Sequence, residues 1–302
     1  MPKIAYISKK FRPATLDLIE KAEVVIAEYK ALGYDLTLRQ LYYQFVSRAF
    51  IPNHERSYKN FGSVIDDARL TGMIDWDSIT DRTRNLKAVS HWGTPSEIID
   101  SAAYSYRIDK WATQPWYVEC FVEKEALVGV IQRISNRLDI PYFACRGYVS
   151  QSEMWGAARR HLRARDRGKQ CLILHLGDHD PSGIDMTRDI MDRLALFGAS
   201  VTVERLALNW DQVEEYNPPP NPAKLTDSRA EGYIDRFGLE SWELDALTPT
   251  VISDLIENAV LAVRNESAWE RAVSRETRER KYLGEVKDRW EEVVEFLGGD
   301  IS

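Results

Sequence analysis

The stretch Gln170-Cys-Leu-Ile-Leu-His-Leu-Gly-Asp-His-Asp-Pro-Ser-Gly183 decides the fold class of this chain. Residues 170–176 form a short apolar run, which is typical of a strand buried on both faces of a parallel sheet. Asp178 and Asp180 follow this run, and residues 183–196 have the spacing of an amphipathic helix. A buried strand, an acidic turn and a helix together predict one β–α unit of a parallel sheet.

The same alternation continues on the N-terminal side of this unit and beyond it. Apolar runs predict three further strands, and helical spacing predicts two further helices between them. The strands are expected at 116–122, 141–144 and 200–206, and the helices at 124–138 and 152–164. Residues 113–207 are therefore predicted to form an α/β domain with a parallel sheet covered on both faces.

Residues 1–112 are predicted to form a mostly helical domain. Helical spacing covers 14–31, 37–49 and 58–71, with Asp35 or Thr37 capping the second helix, and 73–84 alternates loosely like a hairpin. Three helices followed by a hairpin outline a winged helix, whose third helix enters the major groove of DNA. A helical domain with a solvated charged face is the alternative.

Basic residues of two regions are candidate contacts to DNA phosphates. In the N-terminal domain these are Lys59, Arg69, Arg82 and Arg84. In the α/β domain Arg146 and the arginines of helix 152–164, Arg159 and Arg163 among them, form a candidate track. A solvated helix face explains the arginine cluster nearly as well.

Residues 208–302 are predicted to form a helical, acidic C-terminal extension. They carry the chain's acidic surplus, and helical spacing covers 248–264 and 267–297. Glu243 and Asp245 are near enough to a possible metal site to be considered, but surface acids are the favoured interpretation.

Composition sets limits on the class of protein. The 302 residues include 44% apolar and 29% charged residues, with a net charge of −7, which is ordinary for a globular chain. No apolar run is long enough for a membrane helix, so a soluble intracellular protein is expected. The three cysteines, Cys120, Cys145 and Cys171, are far apart and without local histidine partners, so we expect small core residues rather than a zinc site or disulfides.

Carboxylates follow two of the predicted strands. Glu123 comes directly after strand 116–122, and Asp178 and Asp180 follow strand 170–176. Ligands of open α/β sheets bind outside the carboxyl ends of the strands. Carboxylates in this position suit Mg²⁺, which also meets phosphate oxygens. The alternative is that Asp178 and Asp180 serve only as turn and cap residues.

The second predicted helix carries adjacent tyrosines. At 100° per residue Tyr42 falls on the apolar face, whereas Tyr43 lies off it with Arg39 one turn before. A tyrosine nucleophile needs its phenol exposed near an electropositive group, because its free pKa is about 10. Tyr43 lies off the apolar face beside Arg39 and is expected to meet that condition, although a flanking aromatic in a helix contact has the same pattern.

Two of these motifs resemble a known family. Phe121-Val-Glu-Lys-Glu-Ala-Leu127 and Leu176-Gly-Asp-His-Asp-Pro-Ser-Gly183 resemble the Toprim domain, a Rossmann-like parallel sheet. With Arg146-Gly-Tyr148 between them, they look most like the A-type subunit of type IIB topoisomerases (topoisomerase VI) and the related meiotic double-strand-break protein. The resemblance covers about residues 12–206 and implies that Glu123, Asp178 and Asp180 hold catalytic Mg²⁺.

The resemblance also implies a nucleophile and a partner arrangement. In the family an arginine precedes the second of two adjacent aromatics by four residues, on a winged helix ahead of the Toprim domain. Tyr43 would then attack double-stranded DNA, leave a 5′-phosphotyrosyl link and a free 3′-hydroxyl, and be assisted by Arg39. A homodimer is implied in which the tyrosine of one protomer meets the metal site of the other.

The sequence also departs from the family. The segment before Tyr43 is short, Arg146 stands where the family often has lysine, and neither a GxxxxGK[ST] loop nor an ATPase module is evident. We therefore expect no strand passage by this chain alone, and a resemblance to the reduced "mini-A" group of mobile elements, in the cytoplasm and associated with the nucleoid. A Toprim nuclease that uses water and a DNA-binding protein without turnover remain alternatives.

Overall fold

The computed structural model describes residues 3–80, 89–223, 227 and 229–298. The chain divides into two compact units, one formed by Met1–Arg84 with Val118–Ala262, the other by Asn85–Tyr117 with Val263–Ser302. The first unit takes residues from all three predicted domains, and that three-domain division stays a prediction. Among the described residues no helix is both long and apolar enough to span a membrane.

Three helices open the first unit: α1 (Pro13–Ala31), α2 (Leu38–Ser47) and α3 (Glu55–Leu70). Thr37 caps α2 through a capping box with Gln40, which confirms one of its two predicted caps. The helix predicted to begin at residue 58 begins at Glu55, because the His54 side chain accepts from the Ser57 N–H and caps it. The three helices share a core that includes Ile19, Leu41, Phe45 and Phe61.

The predicted hairpin is wrong over its described part. Residues 73–80 contain a short 3₁₀ helix, Trp76–Ser78, and a single bridge between Leu36 and Ile79. Asp75 accepts from the Asp77 N–H (3.0 Å), and the Ser78 hydroxyl donates to the Asp75 carbonyl oxygen (2.6 Å). These local bonds compete with a strand ladder. The rest of the predicted hairpin, 81–84, lies outside the described residues, so the winged helix stays a prediction.

The parallel sheet is confirmed. It contains β1 (Trp116–Val122), β2 (Tyr142–Ala144), β3 (Gln170–Leu176) and β4 (Thr202–Ala207), in the order β2-β1-β3-β4. Consecutive residues of a strand point to opposite faces. Because Cys120, Phe121 and Val122 are all fully buried, the sheet is covered on both faces. All three cysteines are buried and unpaired, as expected of core residues.

Helices α5 (Val128–Leu138), α6 (Gln151–Asp166) and α7 (Pro181–Leu196) connect these strands. Met154 of α6 and Ile190 of α7 pack with Phe121 and Ile173 of the sheet. This packing holds the ends of β1 and β3, where the predicted carboxylates follow, against a rigid core.

The chain then passes through α8 (Trp210–Tyr216), β5 (Pro220–Pro222), α9 (Ala230–Phe237), β6 (Glu240–Trp242), a 3₁₀ helix Leu244–Ala246 and α10 (Pro249–Val263). Strands β5 and β6 pair antiparallel. Two backbone hydrogen bonds join β6 to the loop after β3: His179 N–H donates to Trp242 O (2.8 Å), and Trp242 N–H donates to His179 O (2.9 Å). Residues 240–247 are thereby fixed beside the acidic loop.

The second unit is built from α4 (Pro95–Ser105), α11 (Glu266–Asp288) and α12 (Trp290–Phe296). The single helix predicted over 267–297 is interrupted at Arg289, whose φ of −111° and ψ of 30° are not helical. Helix α11 packs against α4. Its buried Glu276 forms ion pairs with Lys110 (2.7 Å) and Arg280 (2.9 Å), which satisfies a charge that burial would otherwise destabilise.

Candidate functional site

The structure brings Glu123 and Asp178 together at the carboxyl ends of β1 and β3. The Glu123 N–H donates to the carbonyl oxygen of Leu176 (2.8 Å), and the Asp178 N–H donates to Glu123 Oε2 (2.9 Å). A Cβ on Gly177 would lie 3.0 Å from that same Oε2, so a glycine lets the carboxylate reach the loop. Both residues therefore lie at one edge of the sheet, while their convergence on a metal ion stays a prediction.

Asp180 has a second task in this loop. Its Oδ1 accepts from the Gly183 N–H (2.6 Å) and from the Ser182 hydroxyl (3.0 Å), and so caps α7. The alternative that Asp180 serves as a cap residue is therefore correct for one of its roles. Its charge also reaches Glu123 and contributes to raising the pKa of that group.

The carboxylates of Glu123, Asp178 and Asp180 are called the acidic group below. Burial and repulsion between carboxylates destabilise the charged forms of Glu123 and Asp178. Burial, followed by the charge of Asp178, raises the pKa of Glu123 to about 7. Burial also raises the pKa of Asp178, against the opposing effect of Lys124. Neighbouring buried carboxylates that repel one another gain free energy from a proton or a bound cation.

Lys124 is a site residue that the sequence reasoning did not assign. Its buried ammonium lies 3.0 Å from Asp178 Oδ1 and 3.1 Å from Asp245 Oδ1, and it also pairs with Glu243. Burial alone would lower the pKa of Lys124, but Asp245 and Asp178 more than offset it and the pKa is raised. Lys124 is therefore held as a cation in the centre of the acidic group.

The interpretation of Glu243 and Asp245 as surface acids is wrong for Asp245, whereas Glu243 is partly exposed. Asp245 is only 2% exposed and accepts from Arg39 Nε (2.9 Å), while Glu243 lies 3.2 Å from Arg39 Nη2. The next backbone N–H, that of Leu244, donates to Asp178 Oδ1 (2.8 Å). The sequence feature that could have predicted this is the pair of apolar residues Trp242 and Leu244. Their burial places the acidic residues between and beside them near the core.

The candidate nucleophile Tyr43 adjoins the same network. Arg39 Nη2 donates to Tyr43 Oη (3.3 Å), and the guanidinium lies over the tyrosine ring at 5.4 Å from its centroid. The expected exposure of Tyr43 is wrong: it is only 6% exposed and packs in the core of the first three helices. Burial and then Asp245 raise its pKa, and the opposing effect of Arg39 is smaller, so the phenol is protonated in this conformation.

Tyr42 has the structural role predicted for it. Its ring is buried with Phe61, and its hydroxyl accepts from the His54 N–H (3.1 Å). Only the second tyrosine of the pair therefore contacts the charged network. The chain thus offers an adjacent, chemically identical residue as a control for Tyr43.

The ligand chemistry of this region suits a divalent cation, but the described side chains are not arranged as a metal site in this structure. Within the described residues no three His, Cys, Asp or Glu side chains are grouped closely enough to hold a metal ion. The donors are carboxylate oxygens, which hard cations prefer. With all groups ionised, the carboxylates exceed the cations by two charges. The five carboxylates are Glu123, Asp178, Asp180, Glu243 and Asp245, and the three cations are Arg39, Lys124 and Arg205.

The basic candidates of the N-terminal helices are placed in different environments. Lys59 is exposed on α3 and pairs with Glu55 at 2.7 Å. Arg69 is held inside, stacked over Trp76 at 4.7 Å from its ring centroid while donating to the Trp76 carbonyl oxygen (2.8 Å). The remaining two candidates lie outside the described residues: Arg82 and Arg84.

The basic candidates of the α/β part are exposed. Arg146 pairs with Glu125, and its backbone N–H donates to the Glu123 carbonyl oxygen (3.0 Å), which places it beside the acidic group. Arg159 and Arg163 are exposed one turn apart on α6, with Arg159 over the Trp155 ring at 5.4 Å. This face is available to a polyanion.

Arg160, next to these, has a structural partner instead. It forms a bidentate ion pair with Glu119 of β1, with Nε at 2.6 Å from Oε1 and Nη2 at 2.9 Å from Oε2. Glu119 is 2% exposed and His161 also contacts it. This pair fixes α6 to the strand that ends at Glu123.

Comparison with known proteins gives no assignment: no protein-family model matches the sequence, and no curated protein matches it.

Proposed function

We propose that the chain is a Mg²⁺-dependent protein that binds double-stranded DNA and cleaves it through Tyr43, acting on chromosomal or plasmid DNA in the cytoplasm. The observation that carries the proposal is the position of Arg39. It contacts Tyr43 on one side and Asp245 on the other. Lys124 in turn contacts both Asp245 and Asp178, which follows β3. Two cations thereby connect the candidate nucleophile to a carboxylate at the sheet edge.

The reaction is a transesterification. Tyr43 Oη forms a bond to phosphorus, the bond from phosphorus to O3′ breaks, and the phenol proton is balanced by the proton that the 3′-oxygen takes up. Arg39 stabilises the charge that develops on the phosphate. When bound, Mg²⁺ supplies charge neutralisation at the phosphate and leaving oxygens, with Glu123, Asp178 and Asp180 as the residues that would hold it.

The phenol must become more acidic before it reacts. In the structure Asp245 pairs with Arg39 and raises the pKa of Tyr43. Exchange of the Asp245 carboxylate for a DNA phosphate would leave Arg39 paired with another anion, so this exchange would not lower the pKa of Tyr43. That pKa would be lowered by a divalent cation bound at the neighbouring carboxylates, because a nearby positive charge favours the phenolate.

Burial of Tyr43 favours one alternative, hydrolysis by water at the same carboxylates. The two mechanisms differ in the DNA end. Supercoiled plasmid is incubated with protein and Mg²⁺, stopped with detergent and run on gels with and without protease. We expect broken DNA that carries protein until digestion, lost in Tyr43→Phe and kept in the matched control Tyr42→Phe. Protein-free breaks that persist in Tyr43→Phe would establish the nuclease.

The contacts of Arg39 join Tyr43 to the acidic side chains of its own chain, whereas the resemblance implies a homodimer with composite sites. We propose the homodimer as the second arrangement, and mixing inactive variants distinguishes the two. Tyr43→Phe and Asp178→Asn each remove one half of the site. If the tyrosine of one protomer works with the metal site of its partner, a mixed dimer has one intact site and nicks the plasmid. If both halves come from one chain, every site of the mixed dimer lacks a group and the mixture stays inactive.

A further inference from the structure

A cavity of about 400 Å³ lies between α2, α3 and the 3₁₀ turn after β1, and the proposed chemistry does not use it. Its volume falls in the range of about 300–1,000 Å³ that is usual for small-molecule sites. Arg39, Glu125 and Ala126 line this cavity and also line a second cleft of about 390 Å³ that contains Glu123 and Lys124. The two spaces therefore meet at Arg39.

The walls of the larger cavity are apolar and partly aromatic. Leu38, Ile65 and Ile79 contribute aliphatic surface, and Tyr58 contributes a ring that is itself held edge-on by Tyr42 at 5.2 Å between centroids. Flat apolar surfaces of this kind accept the faces of nucleobases without regard to sequence.

Polar groups at one side of the cavity lack partners. Arg69 and Thr80 line it, and within the described residues Arg69 Nε and Thr80 Oγ1 are shielded from solvent with no hydrogen-bond partner. A buried polar group left unpaired costs about 1–3 kcal/mol. The Asp66 carboxylate lines the same cavity. Rotation of the Arg69 and Thr80 side chains toward the cavity would bring a donor and a hydroxyl beside the Asp66 acceptor, which together complement a nucleobase edge.

We propose that this cavity receives one nucleobase, turned out of the DNA stack next to the phosphate held at Arg39. The inference rests on the proposed function, because the DNA backbone brings the base to the cavity. Unstacking one base costs a few kcal/mol, which stacking on Tyr58 and pairing with Arg69 and Thr80 offset. Extrusion of the base would also hold the strand in register with Tyr43.

The test uses the full chain and oligonucleotide duplexes that carry 2-aminopurine at one position at a time, without Mg²⁺ so that no cleavage occurs. Anisotropy of a terminal dye reports DNA binding, and 2-aminopurine emission reports unstacking. Because the apolar walls accept a base without regard to sequence, we expect emission to rise at several positions of the duplex. Thr80→Val should lower DNA affinity about 2- to 10-fold, the effect of one hydrogen bond. The control Thr277→Val on α11, whose hydroxyl donates to a backbone carbonyl, should leave it unchanged.

A second variant, Leu38→Trp, fills the cavity and should abolish the emission rise while the anisotropy still shows binding. Flat emission at every position in wild-type protein that binds the duplex overturns the cavity assignment alone. A rise that persists in Leu38→Trp overturns it as well. Absence of any anisotropy change would overturn DNA binding, and with it the proposed function and this inference together.

Discussion

Replacing Glu119 by Gln tests whether one buried ion pair supports the strand that carries the site. Glu119 is 2% exposed in β1, where Arg160 grips it with two hydrogen bonds and His161 lies 3.6 Å away. The substitution keeps the shape of the side chain and removes its charge. The partly exposed Arg160 then loses the charge of its buried partner.

The size of the effect follows from the pKa of Glu119. Burial alone would raise this pKa, but Arg160 and His161 more than offset burial and lower it from 4.5 to about 2. At about 1.36 kcal/mol per pKa unit, the charged form contributes about 3 kcal/mol to the free energy of unfolding. Because the folded pKa is the lower one, this contribution is present above pH 4.5 and is lost as the pH falls toward 2.

Urea unfolding followed by circular dichroism measures this contribution. At pH 7 we expect Glu119→Gln to lower the free energy of unfolding by about 3 kcal/mol, and at pH 3.5 by about 2 kcal/mol, since part of the wild-type advantage has gone. The control Glu28→Gln breaks a solvent-exposed pair with Arg48 and should cost below about 1 kcal/mol. A loss under about 1 kcal/mol for Glu119→Gln, or one independent of pH, would refute the reasoning.

Three further predictions concern the acidic group itself. Because the pKa of Glu123 is raised to about 7, a divalent cation must displace a proton below that pH. Affinity for Mn²⁺, measured by calorimetry, should therefore rise about fivefold from pH 6 to pH 7 and about tenfold from pH 6 to pH 8, and level off above pH 8. Asp245→Asn deprives Lys124 of a buried partner and should lower the free energy of unfolding by about 3 kcal/mol in thermal melts. Gly183→Ala should cost at least about 2 kcal/mol, because its Cβ would collide with the carbonyl oxygen of Asp178.

Each of these has an outcome that contradicts it. A Mn²⁺ affinity that is flat from pH 6 to pH 8, or unchanged in its pH dependence in Glu123→Gln, removes Glu123 from the metal site. An Asp245→Asn variant with the same free energy of unfolding as the wild type would contradict the second prediction, because it would mean that water replaces the carboxylate. The glycine control is Gly284→Ala on α11, where a Cβ meets open space and should stabilise by about 0.5–1 kcal/mol; equal effects at both glycines would contradict the collision.

Several features of the molecule were determined by the sequence alone. The runs 116–122 and 170–176 are strands with the predicted bounds, because a strand covered on both faces must be apolar along its whole length. The meeting of Glu123 and Asp178 follows from the same argument, since neighbouring parallel strands end at one edge. The position of Arg39 beside Tyr43 follows from the helical period.

The predicted hairpin and the predicted surface location of Asp245 were wrong, each for its own physical reason. Alternation over 73–80 indicated a strand, but Asp75 and Ser78 satisfy the backbone locally instead. The acids of 241–246 looked solvated because charged residues are rarely buried without a partner. Their partners, Arg39 and Lys124, are far away in the sequence and invisible to any local pattern.

Only the tertiary structure determined which charged residues of the site pair with one another. Asp245 and Arg39 are 206 residues apart, and β6 must first pair with the loop after β3 before Asp245 reaches Arg39 and Lys124. Tyr43 lies off the apolar stripe of its own helix, yet it is buried by chain from elsewhere. Periodicity reports which face an element turns to its core, whereas the pairing of charges depends on what the fold brings against that face.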